Sequence, residues 1–315
     1  MHAVVLHTFG PAENLRYETV EDPVPGPGQV RIAVKAAGVH HIETVMRAGG
    51  DGGMAPPLPE LPAIFGGEVA GVVDAVGSDV DASWVGRDVV TRFGTPGGYA
   101  ELAVADVGSV RVIPDGLDHQ AAVAMVVTGF TALALLHVAE LTPEDVVLVT
   151  SAAGGIGRLV VQYARNLGAT VIGAAGGPAK VQAVRELGAD IAVDYNEPGW
   201  AKTLEGVTVV LDGVGGDKAQ AAYDRIVPGG RFVSIGNASR QEFTPDASRD
   251  VTVTNALLMM IEGLPDAPDF EGQALAAAAE GTLVPTVQAF PLSQAAAAHA
   301  ALASRATTGK VVLVP

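Results

Sequence analysis

A run rich in β-branched residues, Val146-Val147-Leu148-Val149-Thr150, leads into Ser151-Ala152-Ala153-Gly154-Gly155-Ile156-Gly157, and then into an amphipathic stretch, Gly155–Leu167, that Gly168 closes. No other feature constrains the fold as strongly. A strand, a glycine turn and a helix in that order fit the dinucleotide fingerprint, with Ala152, Gly154 and Gly157 in its three glycine slots. Each slot has its own physics. Gly154 lets backbone approach a pyrophosphate, and Gly157 lets the helix pack on the strand. The helix start offers N–H groups and the positive end of its dipole. The competing reading is an ordinary tight turn; the strand and helix on either side favour the fingerprint.

The alternation continues downstream. Thr170–Ala174, Ile191–Val193, Val207–Leu211 and Arg231–Ile235 read as strands, and Ala179–Leu187 reads as a helix closed by Gly188. Strands alternating with helices predict a doubly wound parallel sheet. The first third differs. Ala3–Leu6, Val30–Ala36, Glu68–Val76, Val89–Arg92, Ala100–Val104 and Val110–Ile113 are short strands between Gly/Pro-rich loops, which predicts a barrel-like β domain. Gln273–Gly281 and Leu292–Ser304 are Ala-rich helices, and Val311–Val314 is a last strand. That strand needs a sheet edge, which the first domain can supply. The expected division is 1–117 for the N-terminal part of a catalytic domain, 118–258 for the nucleotide domain, and 259–315 for a return to the catalytic domain.

The second strand of the nucleotide unit ends in Gly173-Ala174-Ala175-Gly176-Gly177, where an NAD site usually carries an acid for the ribose 2′-hydroxyl. A 2′-phosphate meets no repulsion from these residues. Lys180 follows closely, and Tyr195 lies after the next strand. Read alone, these are a solvated helix lysine and a loop aromatic. Together with the missing acid they favour NADP(H).

The formal net charge of −16 opposes binding to nucleic acid or to an acidic membrane, and no Lys/Arg-rich run offsets it. There are no cysteines, so disulfides, thiol nucleophiles and thiolate metal sites are excluded. Met1–Phe9 lacks the basic start and apolar core of a signal peptide. The apolar run Ala121–Ala139 contains Thr128, Gly129, Thr131 and His137, and is read as a buried helix rather than a membrane span. A soluble, cytoplasmic protein is expected.

Further segments stand in recognisable order: Gly38-Val39-His40-His41-Ile42-Glu43-Thr44, Phe65-Gly66-Gly67-Glu68-Val69-Ala70-Gly71, Gly97-Gly98-Tyr99-Ala100-Glu101, Thr128-Gly129-Phe130-Thr131-Ala132, Leu211-Asp212-Gly213-Val214-Gly215-Gly216 and Thr308-Gly309-Lys310-Val311-Val312-Leu313. Over its whole length the chain resembles the zinc-independent quinone oxidoreductases of the medium-chain dehydrogenase/reductase superfamily. The resemblance implies an α/β protein: a GroES-like β-barrel catalytic domain built from both chain ends, plus a Rossmann doubly wound parallel-sheet domain, with NADPH in the cleft between them. It implies coenzyme contacts by Thr128, Gly154, Gly155, Ile156, Gly173, Lys180, Tyr195, Val214, Ile235, Asn237 and Lys310. It also implies a homodimer, formed through the edge strand at Val251–Ala256. Zinc-dependent relatives carry a Cys near the His40 position and a His between the residues matching Gly67 and Glu68. This chain has neither, nor the four-cysteine lobe that would follow Thr91-Arg92-Phe93, so no metal is expected.

The implied reaction is hydride transfer from NADPH to a quinone oxygen or to the β-carbon of an α,β-unsaturated carbonyl, with a proton from solvent or a side chain. His40 and Glu43 are the catalytic candidates; the quinone reductases often carry Asn and Asp there. His40 either polarises or protonates the substrate, or orients Glu43 and the loop backbone. Glu43 either assists or fixes the loop. His2, His7, His119, His137 and His299 are expected to be structural or on the surface, and Trp84 and Trp200 to pack at loops. The loop Gly49–Pro62 and the segment Leu257–Phe270 are expected to shape the substrate pocket. Two rival readings remain: a non-catalytic NADPH-binding sensor or structural protein, and a reductase of enoyl or polyketide-type intermediates.

Overall fold

The structure, a computed structural model, describes residues 1–50, 57–92, 97–264 and 267–315. The expected substrate-side segments Gly49–Pro62 and Leu257–Phe270 lie partly outside these residues, as does the junction after Arg92. The chain forms two compact units. Unit 1 is Met1–Val127 with Pro285–Pro315, and unit 2 is Thr128–Val284.

Unit 1 begins with β1 (His2–Leu6), β2 (Leu15–Thr19), β3 (Gln29–Val39), α1 (His41–Arg47), β4 (Ala63–Ile64), β5 (Glu68–Val76), β6 (Asp88–Arg92), β7 (Leu102–Asp106), β8 (Val110–Val112) and α2 (His119–Val126). In β3 the alternation read from the sequence is real: Val30, Ile32 and Val34 are buried and the residues between them are not. Burying each such side chain stabilises by roughly 1.5–3 kcal/mol. The strand is longer than expected and pairs antiparallel with both β5 and β7. The short helix α1 was not expected, because its seven residues follow strand without a loop.

Unit 2 contains α3 (Thr128–Ala139), β9 (Val146–Thr150), α4 (Gly155–Leu167), β10 (Thr170–Ala175), α5 (Pro178–Glu186), β11 (Ile191–Asp194), β12 (Val207–Asp212), α6 (Gly216–Tyr223), β13 (Ile226–Ser234), β14 (Val251–Asn255), α7 (Ala256–Glu262) and α8 (Phe270–Ala279). Its six strands form one parallel sheet in the order β11-β10-β9-β12-β13-β14. The order reverses on either side of β9, so crossovers leave it in both directions and the topological switch point lies at the carboxyl ends of β9 and β12. The helix α4 buries Leu159, Val160, Val161 and Ala164, one stripe at helical spacing. Gly168 then closes it in the left-handed conformation, with its N–H on the carbonyls of Ala164 and Arg165.

The chain re-enters unit 1 through β15 (Val287–Pro291), α9 (Ala295–Ala303) and β16 (Lys310–Val314). The last strand finds the sheet edge it needed: β16 pairs antiparallel with β3 and parallel with β15.

Two readings are revised. The apolar run Ala121–Ala139 is two helices, broken at Val127. The first packs on β3, β5 and β6 of unit 1, and the second on α4 and α8 of unit 2, which is why the run is apolar on all sides. Among the described residues no single helix is long and apolar enough to cross a membrane; α2 and α3 reach that length and composition only as a bent pair. The unit boundaries also fall later in the chain than 117/118 and 258/259. Helix α2 belongs to unit 1 through those strands, and α8 to unit 2 through α3.

Candidate functional site

In unit 2 the fingerprint folds as its residues dictate. Ser151 takes a left-handed conformation, φ 55°, at the strand exit, and Ala152 N–H bonds the carbonyl of Ala174 on the next strand. A side chain at Gly157 would place its Cβ 2.3 Å from the Ser151 carbonyl oxygen, so only glycine lets α4 start this close to β9. Gly154 is the N-cap of α4, with no side-chain cap and no acid in the first turn. The first N–H groups of such a helix have no intrahelical acceptor. An anion is the natural partner for them.

The neighbouring strand tips are tied to this turn. Thr150 Oγ1 donates to Asp212 Oδ1 (2.5 Å) and accepts from Gly213 N–H (3.1 Å). Asp212 also accepts from the N–H groups of Val214 and Gly215. Burial pushes the Asp212 carboxyl up, against the lowering by these hydrogen bonds. Beyond β13, Ser239 N–H bonds the Val214 carbonyl and Ile235 N–H bonds the Asp212 carbonyl, which folds the Ile235–Asn237 loop over the Val214 loop. Gly154, Gly155, Ile156, Val214, Ile235 and Asn237 therefore gather at the carboxyl ends of β9, β12 and β13. Thr128 is buried at the start of α3. Gly173 lies inside β10, where a Cβ would strike Val184 Cγ1 at 2.3 Å; packing of α5 explains it.

Lys180 stands in the first turn of α5 and Tyr195 just beyond β11. Gly176, between β10 and α5, makes room for the Tyr195 ring; a Cβ there would lie 2.9 Å from Tyr195 Cε2. No carboxylate sits on the tip of β10 itself.

The candidates His40, Glu43 and Lys310 lie in unit 1. His40 is the N-cap of α1, and Glu43 Oε2 accepts from its backbone N–H at 2.8 Å. The same oxygen accepts from the buried Tyr99 hydroxyl at 2.7 Å, and His299 Nε2 lies 3.1 Å from that hydroxyl. Burial, then the Glu43 charge, pushes the Tyr99 hydroxyl well up. Burial, then the Arg47 charge, takes His299 down to about 3. Glu43 thus holds the turn that presents His40.

The imidazole of His40 is held on both sides. Nε2 lies 3.1 Å from Glu68 Oε1, and Nδ1 lies 3.3 Å from Lys310 Nζ. Lys310 pairs with the same Glu68 oxygen. The hydrogen-bond pattern assigns Nε2 as donor and Nδ1 as acceptor. Glu68 is wholly buried at the start of β5. Burial alone would raise its carboxyl, but the charges and hydrogen bonds of His40 and Lys310 outweigh it and bring Glu68 down to about 2. A side chain at Gly38 would collide with Glu68 Oε1, so this carboxylate also requires a glycine on β3.

The sequence reading places Lys310 with the coenzyme contacts, expects His299 to be structural or on the surface, and assigns no role to Glu68 or Tyr99; His299 is buried and structural. The signal for Glu68 was partial: an acid opening a strand that runs apolar as far as Val73. His299 carried no such mark. Among the described residues no three His, Asp or Glu side chains gather as a metal would require.

A β unit built from both chain ends and a parallel-sheet unit with a glycine-capped helix together define a medium-chain dehydrogenase/reductase. Residues 26–115 match the alcohol dehydrogenase GroES-like domain, and residues 187–313 match the family described as zinc-binding dehydrogenase. The chain is 34% identical to the quinone oxidoreductase of Pseudomonas aeruginosa, over 98% of this chain and 97% of that one. It is 33% identical to the 2-haloacrylate reductase of a Burkholderia species, over 99% of this chain and 98% of that one. The crystal structure of the Escherichia coli quinone oxidoreductase complexed with NADPH superposes with a TM-score of 0.87, at 29% identity and full coverage of both chains. The chain belongs to the quinone oxidoreductase family of this superfamily.

Proposed function

We propose that this protein is an NADPH-dependent reductase of quinones or other α,β-unsaturated carbonyl compounds. The observation that carries the reading is the uncapped glycine start of α4 beside a β10 tip without a carboxylate of its own. The residues fit the coenzyme. Backbone N–H groups of Gly155 and Ile156, opened by Gly154, take the pyrophosphate. Lys180 and Tyr195 take the 2′-phosphate. Thr128, Val214, Ile235 and Asn237 bound the nicotinamide end, and the Gly173 position lets α5 pack close to β10. The relative crystallised with NADPH and the relatives named for quinone and for 2-haloacrylate reduction support both coenzyme and substrate class.

NADPH, when bound, supplies two electrons and one hydrogen nucleus. The chain's own residues supply position and the second proton. Glu43 and Tyr99 fix the turn that carries His40. Lys310 donates to His40 Nδ1, so the two form a short chain of transferable protons anchored by Glu68. With both ring nitrogens of His40 engaged by Glu68 and Lys310, His40 or Lys310 returns a proton to the substrate oxygen by exchanging one of these contacts for it; solvent supplies the proton otherwise.

We further propose a cytoplasmic homodimer joined through β14. This strand is the sheet edge, and Val253 on it is exposed. Sedimentation at micromolar concentration is expected to give twice the monomer mass, and a monomer removes this part of the proposal.

The activity is tested by following NADPH oxidation against quinones, enones and aldehydes, with NADH and a chelator as controls. Turnover of a quinone or enone that prefers NADPH and ignores the chelator is expected. Tight NADPH binding without turnover on any acceptor would instead make the protein a sensor. An unchanged kcat for His40→Asn would remove His40 from the proton path.

A further inference from the structure

The tip of β10 has no acid, yet a carboxylate reaches it from the neighbouring strand. Asp194 closes β11 and pairs in register with Ala175, the last residue of β10. Its Oδ1 accepts from Gly177 N–H at 3.0 Å and from Asn196 N–H at 2.9 Å. Gly177 is the N-cap of α5, the helix that carries Lys180. Asp194 therefore puts a negative charge on the turn assigned above to the 2′-phosphate. The Gly177 and Asn196 N–H bonds, aided by the more distant Lys218 charge, hold this carboxyl below the usual range. An ionised Asp194 there favours a ribose 2′-hydroxyl and opposes a 2′-phosphate.

A second cation counters it. Lys218, in the first turn of α6, sends its ammonium away from its own helix to the Tyr195 carbonyl oxygen. The same ammonium lies 5.4 Å from the centroid of the Tyr195 ring. Tyr195 is thus flanked by the Gly176 turn on the β10 side and by Lys218 from the next strand–helix unit. Asp194 thus shares this end of the sheet with Lys180, on α5, and with Lys218, whose charge acts on it.

We propose that Lys218 is a specificity-determining residue for the coenzyme, and that it acts by offsetting Asp194 at the 2′ position of the adenosine. With Lys218 present the Asp194 charge is offset and the turn takes a phosphate. Without it Asp194 acts uncompensated by this ammonium, and the advantage of the 2′-phosphorylated coenzyme falls. Both residues stand at the end of the sheet assigned above to the adenosine, so the effect belongs to binding. The inference rests on the coenzyme reading above and deepens it.

The test is calorimetric titration of the full chain with NADPH, and with 2′,5′-ADP and AMP, which differ only by the 2′-phosphate. Lys218→Met is expected to weaken 2′,5′-ADP about fivefold, the scale of a partly exposed charge contact, with AMP changed less than about twofold. Lys218→Arg restores the affinity. Asp194→Asn keeps an acceptor for both N–H groups and is expected to strengthen 2′,5′-ADP about threefold, again with AMP unchanged. Added salt shrinks both effects. Equal weakening of AMP and 2′,5′-ADP by Lys218→Met would make the lysine a prop for Tyr195 and overturn the inference. So would an Asp194→Asn variant that binds the two fragments as the wild type does. If the wild type binds no NADPH at all, the coenzyme reading itself fails, and this inference with it.

Discussion

Replacing Lys310 by methionine isolates the buried charge cluster of unit 1. Glu68 has a side-chain exposure of 0% and Lys310 one of 6%. The wild-type carboxyl sits at about 2 instead of its ordinary 4.5, a difference worth about 3 kcal/mol at roughly 1.4 kcal/mol per pH unit. Removing one partner of such a buried pair costs roughly 3–5 kcal/mol, because the other charge stays behind without compensation. For a unit of about 160 residues, where 1 kcal/mol moves the midpoint by roughly 2–4 °C, Lys310→Met is expected to lower the Tm of unit 1 by about 6–20 °C at pH 7. The sign of the pH dependence follows from the depressed carboxyl. Its stabilisation is complete above the unfolded value near 4.5 and is lost as pH falls toward 2. The gap between wild type and variant therefore stays full from pH 7 to about 5, then closes. Scanning calorimetry across this range, with Glu68→Gln and the double variant, is the assay. The double variant is expected to fall short of the summed single losses by at least about 1.5 kcal/mol. A Tm drop under about 2 °C, or simple additivity, refutes the argument that Lys310 neutralises Glu68.

Three further outcomes follow from the same geometry. Tyr99→Phe removes one of the hydrogen-bond donors to buried Glu43 and is expected to cost about 1–3 kcal/mol in urea denaturation, with little change in m. His299 is held at about 3, so the stability it contributes is present above pH 6.5 and lost as pH falls; at pH 5 the loss is about 2 kcal/mol. His299→Phe is expected to flatten the Tm decline between pH 7 and 5, and parallel declines would count against this. Gly157→Ala sets a Cβ 2.3 Å from the Ser151 carbonyl oxygen, so the strand and helix must separate; NADPH affinity is expected to drop at least about tenfold by calorimetry, with a Tm loss as well.

What the sequence determined by itself was local. The strand Val146–Thr150 and the helix Gly155–Leu167 stand where their composition places them, because a β-branched run, a glycine turn and a helical stripe are all short-range signals. The strand Glu68–Val76 is equally legible. The break at Val127 was not, since an apolar run reads the same whether one core or two receive it. The site follows the same rule. Residues that act through backbone, such as Gly154 and Gly157, announce themselves by spacing. Residues that act through partners do not: Glu68 meets Lys310 only because β16 joins the edge of β3, and Tyr99 meets His299 only because α9 packs beneath it. Asp194 reaches the β10–α5 turn, and Lys218 reaches Tyr195, from two other strand–helix units, so their charges meet only once the parallel sheet has set the strands side by side. Chemistry confined to one turn can be read along the chain, whereas chemistry assembled across strands exists only in the folded sheet.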